Sequence, residues 1–476
     1  MSRTITAIFT LAFIRWHGRL ACGMDGVLAR LPVSVYDIAR RQREHPFGNH
    51  CKIPFLFFSL LGVGLHLLIG GAAVQAADVY LESQRQGHQQ IPIAVLRFTG
   101  SAGGELVTLA ESTFRNDLVR SGFFDLVDVY RRPGDTDLRA AERAGAMVTA
   151  AAVVDAKGGD LTLIGRAWEI GRDAPVVEVK LTGDAASIRR MSHRLADKLV
   201  TYFTGEPGIA QTQIAYVSDA TGHKEVYVMD YDGGNETRLT SDRSIILFPH
   251  WSHDGGRIAY TSYRTGNPDA YLLEMSTGAR KPLLSAHGIN YPPVWTPSGE
   301  RWVFASTRTG DAEIYTMPAG GGDIKRLTFN EANDLSPVWS ALGKQIAFTS
   351  DRGGLPQIYV MEADGANVRR LTFTGDYNTS PSWSPKGDRI AYACRNGEKR
   401  MKICIVDTDG QNPVQVTEDG PYDDESPSWA PNGRDLVFTS NRVGKRHLFA
   451  IRADGTQMTR LTTGNAHHTA PVWSPK

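Results

Sequence analysis

From residue 213 to the end of the chain, apolar and polar positions alternate in short runs, and Gly, Asp, Asn and Pro punctuate them at regular intervals. In the unit 339–382, Trp339 is followed by a turn at Leu342-Gly343. The run Gln345 to Ser350 then places Ile346 and Phe348 in alternation with Ala347 and Thr349. The loop "DRGGLP", the run "QIYVM", the turn Ala363-Asp364-Gly365 and the run "VRRLT" complete the unit. A period of two with β-branched and aromatic residues predicts strands, and the glycines supply the positive-φ positions that tight hairpins require. Each unit therefore predicts four short antiparallel strands. Tryptophans open the units at 251, 295, 339, 383, 429 and 473, spaced by 44, 44, 44, 46 and 44 residues. Four strands repeated radially form the blade of a β-propeller. A β-solenoid has shorter repeats, and the punctuation excludes helical ones. Runs of the "IAY" or "VF" type at 214, 258, 302, 346, 390 and 436 predict six blades. "QIAYVS" at 213–218 lacks an upstream Trp and the final "PVWSPK" lacks a continuation. The C-terminal strand is thus expected to complete the first repeat and close the ring, leaving only short outer edges exposed.

Before the propeller, at 208–476, the pattern changes. Residues 78–207 read as a small α/β domain, with strands at 91–98, 124–130, 146–155, 161–170 and 176–183. Val107, Ala110, Phe114 and Leu118 recur at helical spacing in 105–121, and Gly122 stands where a C-terminal cap belongs. Ile188, Met191, Leu195 and Leu199 do the same in 185–203, with Asp184 as the N-cap. Residues 1–77 read as an N-terminal extension and signal. The apolar run 53–74 follows Lys52 and precedes "QAADV", which fits export with cleavage after Ala76 or Ala77. A run of 22 residues would also suffice for a membrane anchor, which its four glycines and His66 make a poor one. Residues 1–50 carry no repeat.

The 476 residues hold 52 Lys and Arg against 51 Asp and Glu. Without residues 1–77, which hold eight basic and three acidic side chains, the balance is 44 against 48, or −4. A mildly acidic body argues against a nucleic-acid partner. No G-x-S-x-G elbow occurs, and the chain carries no catalytic domain after the last blade, so a propeller hydrolase lacks its signature. Cys394 and Cys404 lie on the second and third strands of one blade and either form a disulfide, as export permits, or fill the core as thiols. His467-His468 and Asp423-Asp424-Glu425 are weak metal clusters, because adjacent residues on an extended loop point apart. No metal or cofactor is expected; a Ca²⁺ held by hard oxygen ligands in the channel is the minor alternative. The informative segments are the loops before each Trp: "SDRSIILF", "SAHGINYP", "FNEANDLS", "FTGDYNTS", "EDGPYDDES" and "TGNAHHTA". The framework repeats but these differ, and a propeller gathers them at one mouth of its channel. They are either solvated loops free to vary or a surface that binds a protein or peptide.

A signal, an α/β domain of about 130 residues, "TQIAYVS" at the junction, units such as "WSHDGGRIAYTSYRTG" and a closing "PVWSP" together resemble the TolB family. These are periplasmic components of the Tol–Pal cell-envelope system. The resemblance covers about 78–476; residues 1–50 depart from it. It implies a non-enzymatic, monomeric scaffold of the periplasm that meets membranes only through partners and supports outer-membrane integrity and constriction at division. It implies binding of the peptidoglycan-associated lipoprotein Pal at the mouth, through Asn290, Tyr291, Asp334, Ser336, Asn378, Thr379, Asp424, Glu425, His468 and Thr469. It also implies contact with TolA through the segment 77–90, beginning Asp78, Val79, Tyr80, Leu81 and Glu82, as an arm that is either docked or released. Two other classes remain: a propeller sensing a small ligand or Ca²⁺, and a propeller hydrolase or lyase with an acid/base pair in the channel.

Overall fold

The structure, a computed structural model, describes residues 90–129, 138–395 and 397–475. The apolar run at 53–74 and the arm at 78–82 lie outside them. No helix of the described residues is long and apolar enough to cross a membrane.

The N-terminal part is a mixed five-stranded sheet in the order β2-β1-β3-β4-β5. Its strands are β1 (Ile91–Val95), β2 (Phe124–Leu126), β3 (Val148–Lys157), β4 (Asp160–Glu169) and β5 (Val177–Gly183). β1 runs parallel to β2 and β3, and β3, β4 and β5 form an antiparallel meander. Helix α1 (Gly104–Ser121) ends at Gly122 in the left-handed conformation, as its sequence predicts. A short helix α2 (Leu138–Arg143), which the sequence reading passes over, carries too few residues to show a period. Asp184 caps a 3-10 turn at Ala185–Ser187 by accepting from the Ser187 amide, and α3 (Ile188–Thr204) follows. Phe114 and Leu118 of α1 and Met191, Leu195 and Leu199 of α3 bury their stripes against the sheet.

The rest of the chain forms six four-stranded antiparallel sheets, the blades of a propeller. We number them from the N-terminus, so that the first blade holds Gln213–Ser218, Glu225–Asp230 and Thr237–Arg238, and its inner strand is His468–Trp473 from the C-terminus. The ring closes as the two orphan segments predict. The tryptophan period has a direct cause. Trp251, Trp339 and Trp429 each donate an indole N–H to the main-chain oxygen of Val472, Val294 and Ser382, in the preceding blade, at 3.1 Å. Each indole therefore clamps one blade to the last while its ring fills the core between them. Deeper in the blades, Tyr216 faces Tyr227, Tyr260 faces Tyr271, Phe304 faces Tyr315, Phe348 faces Tyr359 and Phe438 faces Phe449 across the second and third strands.

In the fifth blade that pair is Tyr392 and Cys404, and the smaller side chain leaves room for a disulfide to Cys394, with 5.8 Å between the Cα atoms. The bond joins diagonal positions of the hairpin. With a separation of 10 residues, loss of the cross-link is expected to lower stability by about 2–3 kcal/mol on chain-entropy grounds. Urea unfolding of the Cys394→Ala/Cys404→Ala variant beside the wild type measures it.

Three ties join the N-terminal part to the propeller. Arg452 of the sixth blade donates to the carbonyl of Ser121 at the C-terminal end of α1, where a cation complements the helix dipole. The Arg434 guanidinium lies 4.1 Å from the Phe123 ring centroid. The third tie is a buried network. The Asp117 carboxylate receives His193 Nδ1 and the Tyr231 hydroxyl, both at 2.8 Å, and Arg189 grips Asp232 with one nitrogen at 2.9 and 2.7 Å. Tyr231 and Asp232 belong to a turn between third and outer strands. All these contacts fall on the propeller face that carries those turns and the first-to-second turns; none of them involves a loop of the opposite face.

Candidate docking face of the propeller

In an antiparallel meander, the second-to-third loop and the loop leading to the next blade emerge on the same face. There they surround a central channel of about 650 Å³. Its wall repeats one device. In five blades the inner strand is bulged, two of its residues facing one on the second strand. The first residue of the bulge has a left-handed backbone: Phe248, Ser336, Ser380, Ser426 and Ala470, with φ of 50 to 55°. A proline follows each of these, and its missing N–H suits a position that has no ladder partner. A non-glycine residue in this conformation costs about 1–2 kcal/mol. Five such residues, at one position around the channel, hold backbone strain in its wall. The third blade departs from the rule. Pro292-Pro293 stand there, and the inner strand shrinks to Val294–Trp295.

The channel lining consists of proline, serine, tryptophan and aliphatic side chains, Phe248, Tyr291, Thr296 and two histidines of the second blade, His250 and His253. None of these lining residues is a carboxylate, a lysine or an arginine. Burial keeps His250 neutral, its pKa pushed down to about 4, although its ring partly borders the channel. A Ca²⁺ site built on carboxylates does not fit this lining.

The residues expected at the mouth divide into two groups. Asn290, Asp334, Asn378, Asp424 and His468 are buried and form part of a polar belt just beneath the mouth. Each is paired with a residue towards the end of its blade's second strand, Ser306, Ser350, Cys394, Ser440 and Ser218 respectively. That residue faces in turn a buried polar residue of the third strand: Glu313, Gln357, Lys402, His447 and Glu225. Their neighbours Tyr291, Thr379, Glu425 and Thr469 are half-buried and Ser336 is exposed, so these present surface at the face. Period-two alternation separates the adjacent pairs, and the bulge exposes Ser336, which lies two residues from Asp334.

The third-strand residues, which the sequence reading missed, explain much of the loop variation. Glu225 accepts from the amides of Asp242 and Arg243, and Glu313 from Thr328 and the amide of Asn330. Lys402 reverses the polarity: its ammonium donates to the carbonyls of Gly420 and Tyr422, 3.8 Å from the Tyr422 ring centroid, and burial lowers its pKa. Loops thus differ between blades partly because their anchors differ. The available signal was a charged or amide residue at one fixed position of an otherwise apolar strand.

A family profile described as the TolB beta propeller domain matches residues 200–476. The chain belongs to the TolB β-propeller family. Curated relatives include the Tol-Pal system protein TolB of Geobacter sulfurreducens, 38% identical over 210 residues, which cover 42% of this chain and 48% of that protein. The Tol-Pal system protein TolB of Anaeromyxobacter dehalogenans is 38% identical over 178 residues, covering 35% and 41%. In these alignments the chain spans about half the length of the curated relatives it matches. The crystal structure of TolB from Acinetobacter baumannii superposes with a TM-score of 0.69 at 27% identity, covering 82% of this chain and 97% of that one. The likeness to TolB thus takes in much of the N-terminal part as well as the blades.

Proposed function

We propose that this protein is a non-enzymatic docking scaffold of the Tol–Pal envelope system, working in the periplasm as a monomer. In this reading the propeller mouth binds Pal, residues 77–90 contact TolA, and the protein supports outer-membrane integrity and constriction during division. The observation that carries the reading is the channel: about 650 Å³, lined without carboxylate, lysine or arginine side chains, and walled at its bulges by residues with a left-handed backbone. Such a wall suits an inserted protein loop, since it supplies apolar contact and hydroxyls without an acid/base pair or a carboxylate cage. The names of the relatives support the choice of system.

Retention of purified Pal from the same organism on the immobilised protein tests it. Thr379→Arg, which places bulk and charge at the mouth, is expected to reduce retention about ten-fold or more, as loss of a central interface contact does. Asp364→Ala, on the turn face, is expected to leave it unchanged. Equal retention by both variants, or none by the wild type, contradicts the reading.

A further inference from the structure

Five blades carry an arginine near the head of the second-to-third loop: Arg264, Arg308, Arg352 and Arg442 at one repeated position, and Arg395 one position earlier. In four of them a carboxylate of the same face neutralises it. Arg352 meets Asp334 at 2.7 Å, Arg442 meets Asp424 at 3.0 Å, Arg395 meets Asp376 at 2.7 Å and Arg264 meets Asp242 at 3.7 Å. Arg308 is the exception. The residue at the position of Asp334 and Asp424 is Asn290, whose Oδ1 lies 3.4 Å from one guanidinium nitrogen, and Nε donates to Ser306 Oγ at 3.1 Å. No carboxylate of the described residues comes within ion-pair distance of Arg308. The local reason is on the third strand: Asn290 Nδ2 points to Ala286 O at 2.8 Å and Asp269 Oδ1 at 3.5 Å, where an aspartate would meet like charge.

The guanidinium is nonetheless held in place. It lies over Phe304 and Tyr315, 5.4 and 5.0 Å from their centroids, and is half-buried. Burial lowers its pKa, the response of a cation that has lost water and gained no countercharge. Tyr291, which follows Asn290 in the chain, lies tilted against Phe248 with 6.0 Å between ring centroids, and both residues line the channel. The same blade is the one that lacks the left-handed bulge. The third blade thus departs twice in one sector of the mouth: it lacks the bulge that the other five share, and its arginine lacks the carboxylate that four others have.

We infer that Arg308 is the point at which the docked protein supplies a carboxylate, an Asp or Glu placed next to an apolar side chain that packs on Tyr291 and Phe248. The inference rests on the docking reading and names the chemistry of the partner at that face. A preorganised guanidinium offers a carboxylate two parallel hydrogen bonds, and most of its side-chain entropy is already spent.

Calorimetric titration of Pal into the protein at low and high salt, together with thermal melting of each variant, tests the inference. Arg308→Met keeps the stem on the aromatic rings. It is expected to weaken binding about ten-fold or more and flatten the salt dependence, while the melting temperature falls less than in Arg352→Met, because hydrogen bonds to neutral groups but no ion pair are lost. Arg308→Lys should recover part of the affinity. Arg352→Met is expected to act mainly on the melting temperature, by stranding Asp334. If Arg308→Met binds with wild-type affinity and salt dependence, the inference is wrong and the docking reading stands. If the wild type does not bind Pal, both fall.

Discussion

Replacement of Asp117 by alanine is expected to lower stability by about 3–5 kcal/mol, the range for breaking a buried charged pair by removing one partner. Asp117 is almost wholly inaccessible and holds His193 and the Tyr231 hydroxyl at 2.8 Å each. Its loss leaves a buried imidazole and a buried hydroxyl in the joint between α3 and the first blade. The network also has a pH signature. The groups facing His193 are Asp117, Asp230 at 3.6 Å and Asp232, with Asp197 farther along α3 and Arg189 bound to Asp232. Burial alone would lower the His193 pKa, but the hydrogen bond to Asp117 and the nearby Asp230 carboxylate outweigh it and hold it at about 9. Burial also pushes the Asp117 carboxyl up, so the two shifts oppose one another. The geometry favours the charged pair, because Asp117 accepts two hydrogen bonds and Arg120 lies 5.7 Å from the Tyr231 ring. A pKa raised above the free histidine value contributes stability that is complete below about pH 6.5 and lost as the pH rises through about 9. The wild type is therefore expected to lose about 3 kcal/mol between those limits. Urea denaturation at pH 6.5 and 9.5 measures it, and a wild-type curve as flat as that of His193→Ala would overturn the assignment.

Deleting residues 467–476 is expected to abolish recovery of folded monomer. The inner strand of the first blade would be lost, exposing the edge of Gln213–Ser218 and opening the ring. Trp473 is buried, and its indole N–H donates to Thr212 Oγ1 at 2.7 Å, at the junction with the N-terminal part. Val472 receives the Trp251 indole, so the same strand holds the second blade. Trp473→Ala alone is expected to cost about 3–5 kcal/mol through the cavity it leaves. Trp473→Phe keeps most of the burial and should cost about 1 kcal/mol for the hydrogen bond. Expression with size-exclusion chromatography reads the deletion, and chemical denaturation reads the substitutions. A truncated chain that elutes as a folded monomer would show that closure does not depend on the last strand.

The blades were legible because the ring repeats one physical solution. Three of the six tryptophans tie their blade to the preceding one by an indole hydrogen bond, and all six stand at the same place in the repeat, so their spacing records the ring. The α1 and α3 stripes and the Gly122 cap were legible as local patterns. The mouth was legible only in part. Sequence position located the loops, but Asn290, Asp334, Asn378, Asp424 and His468 turn inward to the polar belt while their neighbours present surface. That distinction depends on strand register and on the bulge, and the X-Pro dipeptides at the bulge, three of them Ser-Pro, read equally well as ordinary turns. The Asp117–His193–Tyr231 joint had no local signature, since its members lie 76 and 114 residues from Asp117 and meet only when the two parts pack. Arg308 became visible only once its sisters were seen paired.

Hydrogen exchange of the protein with and without saturating Pal tests the central claim, that the loop face of the propeller is the docking surface. The account predicts slowed exchange in the loops 242–248, 285–291, 374–380, 419–426 and 463–470, and unchanged exchange in the turns at 363–366 and 408–411. Unchanged exchange in all five loops, with protection confined to the turn face, would contradict it.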